Sequence, residues 1–236
     1  MSDVAASAPI VRASVALSLA DLAGPATPLA PGDMLAAAKL LGVGLAKVQA
    51  CEAVESRGRG FGSDGRPIIL FEPHIFHKLT GGKFSDGWPA ISYPTWGTLP
   101  YPGSQSQRYA QLDQAMRLDP DAALKSASWG MYQIMGYNFR AAGGGIAPPR
   151  PGAPSARPGL FATVQDFVRA MVRSEGDQLL AFARMILSQP AMTTALRLGD
   201  WAGYARLYNG PGYAQHGYDQ KLKTAFARFR AASASA

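Results

Sequence analysis

The chain has 236 residues, of which 47% are hydrophobic and 17% are charged, a balance typical of one globular domain with a sizeable core. Its 23 Lys and Arg residues outnumber its 16 Asp and Glu residues, and the net charge of +7 favours polyanionic partners. The single cysteine, Cys51, excludes an internal disulfide and a cysteine-based zinc site.

The basic residues form no dense cluster, so we expect no nucleic-acid partner. No apolar run approaches the ~20 residues of a membrane-spanning helix. Asp21 interrupts the short apolar run near the N-terminus, and the sequence therefore predicts no signal peptide.

Composition divides the chain into three parts. Residues 1–32 are rich in Ala, Ser and Pro and predict a flexible N-terminal arm. Residues 33–230 predict one domain, followed by a disordered tail over 231–236. Within the domain, residues 143–159 read "GGGIAPPRPGAPSARPG", a composition that fits neither a helix nor a strand and predicts an inserted flexible loop.

The first half of the domain predicts a helical hairpin, then a short β element. Asp33 is a candidate cap for a helix that stops at the glycines around residue 43, and "LAKVQACEAVES" predicts a second helix. "PIILF" predicts a strand of a small hairpin or sheet. The aromatic, Pro-rich stretch "WPAISYPTWGTLPYPG" predicts a long structured loop with a functional role.

Helices dominate the remainder. "SQSQRYAQLDQAMRL" predicts a helix capped by Ser104 or Ser106, and Thr163 with Asp166 forms a capping-box pattern for the next. "QLLAFARMILS" is apolar on nearly every side and predicts a central buried helix, whereas "YDQKLKTAFARFR" predicts an amphipathic surface helix. The fold class is mainly α, as an α+β domain with a small β element.

Glu55 closes the second helix in an unusual place for an acid. It lies four residues after Cys51 and seven after Val48, so it continues their apolar face toward the core or the floor of a cleft. Desolvation and the negative end of the helix dipole both raise a carboxyl pKa there. Glu55 is therefore a candidate general acid, and a solvated Glu at a frayed helix end is the alternative.

Three motifs occur in order: "VESRG", "SASWGMYQIMG" and "LYNGPGY". Together they resemble the lysozyme and lytic transglycosylase superfamily. With "GRPIILFEPHIF", "LDQAMRLDPDAAL" and "GYDQKL" they are similar to phage-type N-acetylmuramidases, the catalytic domains of certain endolysins. The resemblance implies a lysozyme-like helical domain with a small β-hairpin or sheet beside the active-site cleft.

The resemblance also implies roles for individual residues. Glu55 matches the catalytic acid. The residues implied to bind substrate are Ser126, Ser128, Trp129, Gln133, Tyr208 and Asn209. Structural alternatives exist for three of them: Trp129 as a core residue, Gln133 as a cap of backbone groups, and Asn209 as part of a turn.

A second catalytic carboxylate is missing from its usual position. In the conventional animal lysozymes the corresponding motif has Asp where this chain has Ser128. Glu72, Asp64 and Glu175 are the remaining candidates, each with a structural or solvated role as the alternative. His74 and His77 lie near Glu72, but no H-E-x-x-H motif is present, so we expect no metal and no cofactor.

The sequence therefore predicts an endolysin that hydrolyses the β-1,4 bond between N-acetylmuramic acid and N-acetylglucosamine for host lysis. A lytic transglycosylase giving 1,6-anhydro products and a non-catalytic wall-binding protein are the alternatives. The expected partner is the glycan strand of peptidoglycan, with weak contact between the basic C-terminal helix and an anionic outer membrane. We expect a monomer, made in the host cytoplasm and released to the periplasm by a holin-type route.

Overall fold

The computed structural model describes residues 16–56, 58–145 and 159–234. These residues form eleven α-helices and one three-stranded antiparallel sheet, which confirms the predicted mainly α fold with a small β element. The helices are α1 Pro31–Leu41, α2 Leu45–Glu55, α3 Pro73–Leu79, α4 Gln105–Leu118, α5 Pro120–Ser126, α6 Phe139–Ala142, α7 Val164–Arg173, α8 Glu175–Leu187, α9 Pro190–Leu198, α10 Trp201–Asn209 and α11 Tyr218–Ala234. The strands are β1 Ile69–Phe71, β2 Ala127–Trp129 and β3 Ile134–Met135.

The predicted helical hairpin is present as α1 and α2. Asp33 lies inside the first turn rather than at the cap, and its carboxylate accepts a hydrogen bond from the backbone of Ala30 at 2.9 Å. Helix α1 ends at Gly42, whose φ of +65° is the left-handed conformation that favours glycine. Helix α2 buries Val48 and Cys51 and ends at Glu55, because Ser56 turns to extended backbone.

The strand predicted from "PIILF" is β1, and its partner is distant in the sequence. Leu70 pairs with Ser128, 58 residues further along the chain, and β2 then pairs with β3 through a tight turn. The free edge of β1 is covered by Gln105, whose amide accepts from the Ile69 N–H at 2.9 Å and donates to the Ile69 carbonyl at 3.1 Å. This side chain satisfies the edge that would otherwise be open to another strand.

Helix α8 is the central buried helix that the sequence predicts. Leu179, Phe182 and Ile186 are buried, and the Phe182 ring stacks on Tyr132 at 4.3 Å between centroids. The predicted caps at Ser104 and Thr163 are confirmed, since each side chain accepts a backbone N–H of its own first turn.

Gln178 on α8 ties three segments together. Its side chain is buried, accepts a hydrogen bond from the Met131 N–H at 2.7 Å and donates one to the Met171 carbonyl at 2.8 Å. A Cβ atom added at Gly60 or at Gly130 would overlap this amide. The segment after α2 and the β2–β3 turn therefore approach α8 as closely as they do because both are glycine there.

The two ends of the described chain differ from the prediction. Residues 16–30 are not a flexible arm: Leu17 and Leu22 are buried, and the Thr27 carbonyl accepts from the Glu175 N–H at 2.9 Å. Apolar side chains in this Ala- and Pro-rich stretch supply enough buried surface to hold it against the domain. At the other end, α11 continues to Ala234, into the predicted 231–236 tail.

The predicted arm over residues 1–15 and most of the predicted loop over 143–159 lie outside the described residues. The two described ends of that loop meet, since the Leu160 N–H donates to the Gly143 carbonyl at 2.8 Å. The described residues on either side of residues 146–158 therefore lie next to each other.

No single described helix is long and apolar enough to cross a membrane. Two sharply bent pairs, α1 with α2 and α8 with α9, pass that test of length and composition only when taken together.

Candidate active site

Glu55 lies in a small pocket at the end of α2. The pocket has a volume of about 230 Å³ and is lined by Val54, Glu55, Ser56, Tyr132, Gln133, Tyr208, Asn209 and Tyr218. Three distant segments contribute to it: the end of α2, the β2–β3 turn and the end of α10. Four of the predicted site residues, Glu55, Gln133, Tyr208 and Asn209, are thus brought together.

The Glu55 carboxyl group is half-buried and has one hydrogen-bond donor among the described residues. The Asn209 side-chain amide donates to Glu55 Oε1 at 3.2 Å. Burial raises the pKa of Glu55 from 4.5 to about 7, and the amide opposes that rise because it stabilises the charged form. A substantial fraction of Glu55 is therefore protonated near neutral pH, as a general acid requires.

The position of Asn209 follows from the packing of α10. Tyr204 on this helix is fully buried, and the Tyr208 ring stacks on it at 6.0 Å and meets Phe182 edge-on at 5.4 Å. Helix α10 ends at Asn209 because Gly210, with a φ of +78°, and Pro211 follow. The last residue of α10 is thereby held against the last residue of α2.

Gln133 reaches the pocket from the β2–β3 turn in a strained conformation. Its φ is +48°, a region that non-glycine residues rarely adopt and that recurs at functional sites. Its amide donates to the carbonyls of Ile68 at 3.0 Å and Gly130 at 2.8 Å and accepts from the Ser128 hydroxyl at 3.0 Å. Gln133 is therefore a backbone-capping residue that also forms part of the pocket wall.

Ser126 and Trp129 are not accessible to a substrate, in contrast to the prediction. Both are fully buried; the Ser126 hydroxyl donates to the Ala122 carbonyl at 2.7 Å and the Trp129 indole to the Leu124 carbonyl at 3.1 Å. Ser128 precedes Trp129 on β2 and faces Gln133 instead of the core, because successive residues of a strand point to opposite faces. The first residues of "SASWGMYQIMG" are therefore core residues, except that Ser128 holds Gln133 through a hydrogen bond.

Two of the candidate second carboxylates have structural contacts away from the pocket. Asp64 accepts a hydrogen bond from the Arg66 N–H at 3.2 Å within its own turn. Glu175 accepts from the backbone N–H groups of Leu29 at 2.9 Å and Gly60 at 2.6 Å, so it fixes two loops. Neither residue lines the Glu55 pocket.

Glu72 holds part of the aromatic loop. Its Oε2 accepts a hydrogen bond from the Tyr101 hydroxyl at 2.6 Å and lies 3.3 Å from His74 Nδ1. The Trp96 indole donates to the same Tyr101 hydroxyl at 2.9 Å, although Trp96 is 68% exposed. The sequence predicts the aromatic loop but not this chain of contacts, which fixes an exposed tryptophan in place.

Four residues that were not predicted as site residues also line the pocket: Val54, Ser56, Tyr132 and Tyr218. Each lies inside or beside a motif that carries the family resemblance, so their position in those motifs was the available signal. Among the described residues, no group of three His, Cys, Asp or Glu side chains could hold a metal ion.

Comparison with known proteins gives one family match and one structural match to the chain. A family model described as N-acetylmuramidase matches residues 44–230, a range that contains every pocket residue. The solved structure of the Burkholderia AP3 phage endolysin is 38% identical, with a TM-score of 0.75 over 87% of this chain and 73% of that one. No curated protein sequence matches the chain.

Proposed function

The chain belongs to the N-acetylmuramidase family, and on that premise we propose that Glu55 is the general acid for the cleavage of peptidoglycan. The protein is a peptidoglycan-degrading endolysin, and the proposed bond is the β-1,4 link between N-acetylmuramic acid and N-acetylglucosamine. The observation that carries the role of Glu55 is its position: its carboxyl group is half-buried in the pocket, where burial raises its pKa, and it contacts the Asn209 amide at 3.2 Å.

Protonated Glu55 donates its proton to the glycosidic oxygen as positive charge builds at the anomeric carbon. Asn209 occupies Oε1, which leaves Oε2 free to hold the proton. After transfer, the same amide stabilises the carboxylate that forms. Acid catalysis of this kind contributes roughly 10²–10⁴-fold to a rate.

Hydrolysis requires a base to activate water. Glu55 is the one carboxyl group among the eight residues that line the pocket. We therefore assign the second proton transfer to Glu55 as well: deprotonated by the first step, it is the base available to the incoming water. Asp64 and Glu72 then have no catalytic role, and Glu72 positions Tyr101.

Gln133, Tyr208 and Asn209 form the proposed substrate-binding wall, and Ser128, which is buried and does not line the pocket, holds Gln133. Gln133 and Ser128 support one side of the pocket by their mutual hydrogen bond, and Tyr208 with Asn209 forms the other. The protein acts on the cell wall, and we propose that it does so as a monomer after release by a holin-type route. Weak contact of the basic helix α11 with an anionic outer membrane is part of the same proposal.

The test is mass spectrometry of the muropeptides that the wild type and Glu55→Gln release from purified sacculi. We expect products with a reducing muramic acid from the wild type and none from the variant. The matched control is Glu52→Gln on the same helix, whose carboxylate accepts from the Ser56 hydroxyl at 3.1 Å and does not line the pocket. It should release the wild-type products.

Other outcomes would replace the proposal. Products lighter by one water would be anhydro sugars and would establish a lytic transglycosylase. Release by Glu55→Gln at the wild-type rate would show that Glu55 is not the acid. If none of the proteins released muropeptides, the remaining interpretation would be a non-catalytic wall-binding domain.

A further inference from the structure

A second groove opens beside the Glu55 pocket, between α2 and α11. Its volume is about 610 Å³, and it is lined by Ala53, Val54, Tyr218, Gln220, Lys221, Thr224, Ala225 and Arg228. Val54 and Tyr218 line both cavities, so the groove continues from the catalytic pocket. A substrate bound at Glu55 can therefore extend a substituent into it.

The groove combines a small apolar floor with two cations. Lys221 and Arg228 are both exposed and lie seven residues apart on α11, about 10 Å along the helix axis. Neither forms a salt bridge with a carboxylate of the described residues; Lys221 lies over the ring of Tyr218 and Arg228 over the ring of Phe229.

The nearest carboxylate in sequence does not neutralise these cations. Asp219 accepts a hydrogen bond from the Gln220 side chain at 3.1 Å. Two exposed cations on one side of a groove, with alanine and valine side chains at its base, form a surface for an extended ligand with carboxylates and small apolar groups.

Only one part of peptidoglycan has that chemistry. N-acetylglucosamine is uncharged, whereas the stem peptide attached to the lactyl group of muramic acid carries free carboxylates and several alanine methyl groups. An extended peptide advances about 3.3 Å per residue, so roughly three residues span the distance between the two cations. We propose that this groove binds the stem peptide of the muramic acid in the catalytic pocket, with Lys221 and Arg228 pairing with its carboxylates.

The inference rests on the proposed function and has its own test. The substrates are soluble, uncrosslinked glycan strands whose stem peptides have free carboxylates, and the same strands after conversion of those carboxylates to amides. The proteins are the wild type, the groove variant Lys221→Gln/Arg228→Gln, and the control variant Lys223→Gln/Arg230→Gln. The control removes the same charge from exposed positions of the same helix outside the groove.

We expect the wild type and the control variant to cleave the free-carboxylate strands with a kcat/KM about fivefold higher than the amidated strands, as two partly exposed charge pairs would give. The groove variant should lose this preference. Equal rates of the wild type on both substrates would overturn the proposal. So would a groove variant that keeps the preference, or a control variant that loses it to the same degree.

A binding measurement separates this inference from the proposed function. In a Glu55→Gln background the strands stay intact, and the same fivefold difference should appear in their dissociation constants and vanish with the groove substitutions. A binding difference without cleavage by the wild type would refute the catalytic proposal and support the groove. Cleavage without any binding difference would refute the groove and leave the catalytic proposal standing.

Discussion

Glu55 at the end of α2 and Glu72 after β1 both have partly buried carboxyl groups, but the two groups differ in the hydrogen-bond donors around them. Glu55 has one amide donor at 3.2 Å, and burial raises its pKa to about 7. Glu72 has a 15% exposed side chain, a phenol donor at 2.6 Å and His74 at 3.3 Å. Burial alone therefore does not identify a catalytic acid. A buried carboxyl group with few hydrogen-bond donors is more readily protonated. A carboxyl group that accepts short hydrogen bonds holds the donating side chains in place.

The largest contrast should appear in activity. Glu55→Gln should lower kcat by about 10³-fold, because the amide cannot donate the proton that the leaving oxygen needs. Glu72→Gln keeps an acceptor for the Tyr101 hydroxyl and should lower kcat by no more than about threefold, since the hydrogen bond loses only part of its strength. Rates of muropeptide release from purified sacculi measure both. Equal losses of kcat in the two variants would contradict this prediction and would make Glu72 the candidate for the second catalytic carboxylate.

The second contrast is in stability. The folded-state pKa of Glu55 lies above its ordinary value of 4.5, so the wild type loses stability as the pH rises from 4.5 through about 7. Glu55→Gln does not ionise and should be more stable than the wild type at pH 8, by roughly 2–3 kcal/mol, with no such advantage at pH 4. Urea unfolding at both pH values measures this difference.

Glu72→Gln is the matched variant for that experiment. It weakens the hydrogen bond from Tyr101, so it should be less stable than the wild type at pH 8, by about 1 kcal/mol. A gain in stability for Glu72→Gln similar to that of Glu55→Gln would mean that the two sites are not electrostatically different.

The smallest predicted effect concerns the donor to Glu55. Asn209→Ala removes a hydrogen bond that stabilises the charged form, so the pKa of Glu55 should rise further above 7. The alkaline limb of the kcat/KM profile should then move to higher pH by about one unit. A limb that stays in place, or moves to lower pH, would show that Asn209 does not set the proton affinity of Glu55.

The sequence predicted the features that depend on neighbouring residues. The caps at Ser104 and Thr163 use side chains three residues from their targets, and the position of Glu55 follows from the helical period of α2. Motif order then predicted that Tyr208 and Asn209 lie near Glu55, which the pocket confirms. Each of these predictions needs only local geometry or a motif that is specific in itself.

Trp129 shows where the motif misled. The sequence pattern predicts no strand over residues 127–129, and without a strand nothing places Ser128 and Trp129 on opposite faces. The contact between Glu72 and Tyr101 was missed for another reason. The two residues are 29 positions apart and are joined partly by an irregular loop, so no periodicity in the sequence links them. The packing of residues 16–30 was missed because their few buried leucines lie within an Ala- and Pro-rich composition.

The close approach of Gly60 and Gly130 to Gln178 has a consequence for how the sequence can change over time. A side chain at either glycine would overlap the Gln178 amide, and Gly130 also has a φ of +69° that favours glycine. A smaller residue at position 178 would leave the Met131 N–H and the Met171 carbonyl without their partner. Any single substitution among these three positions is therefore costly. We therefore expect Gly60, Gly130 and Gln178 to stay unchanged in related sequences whose surface residues differ.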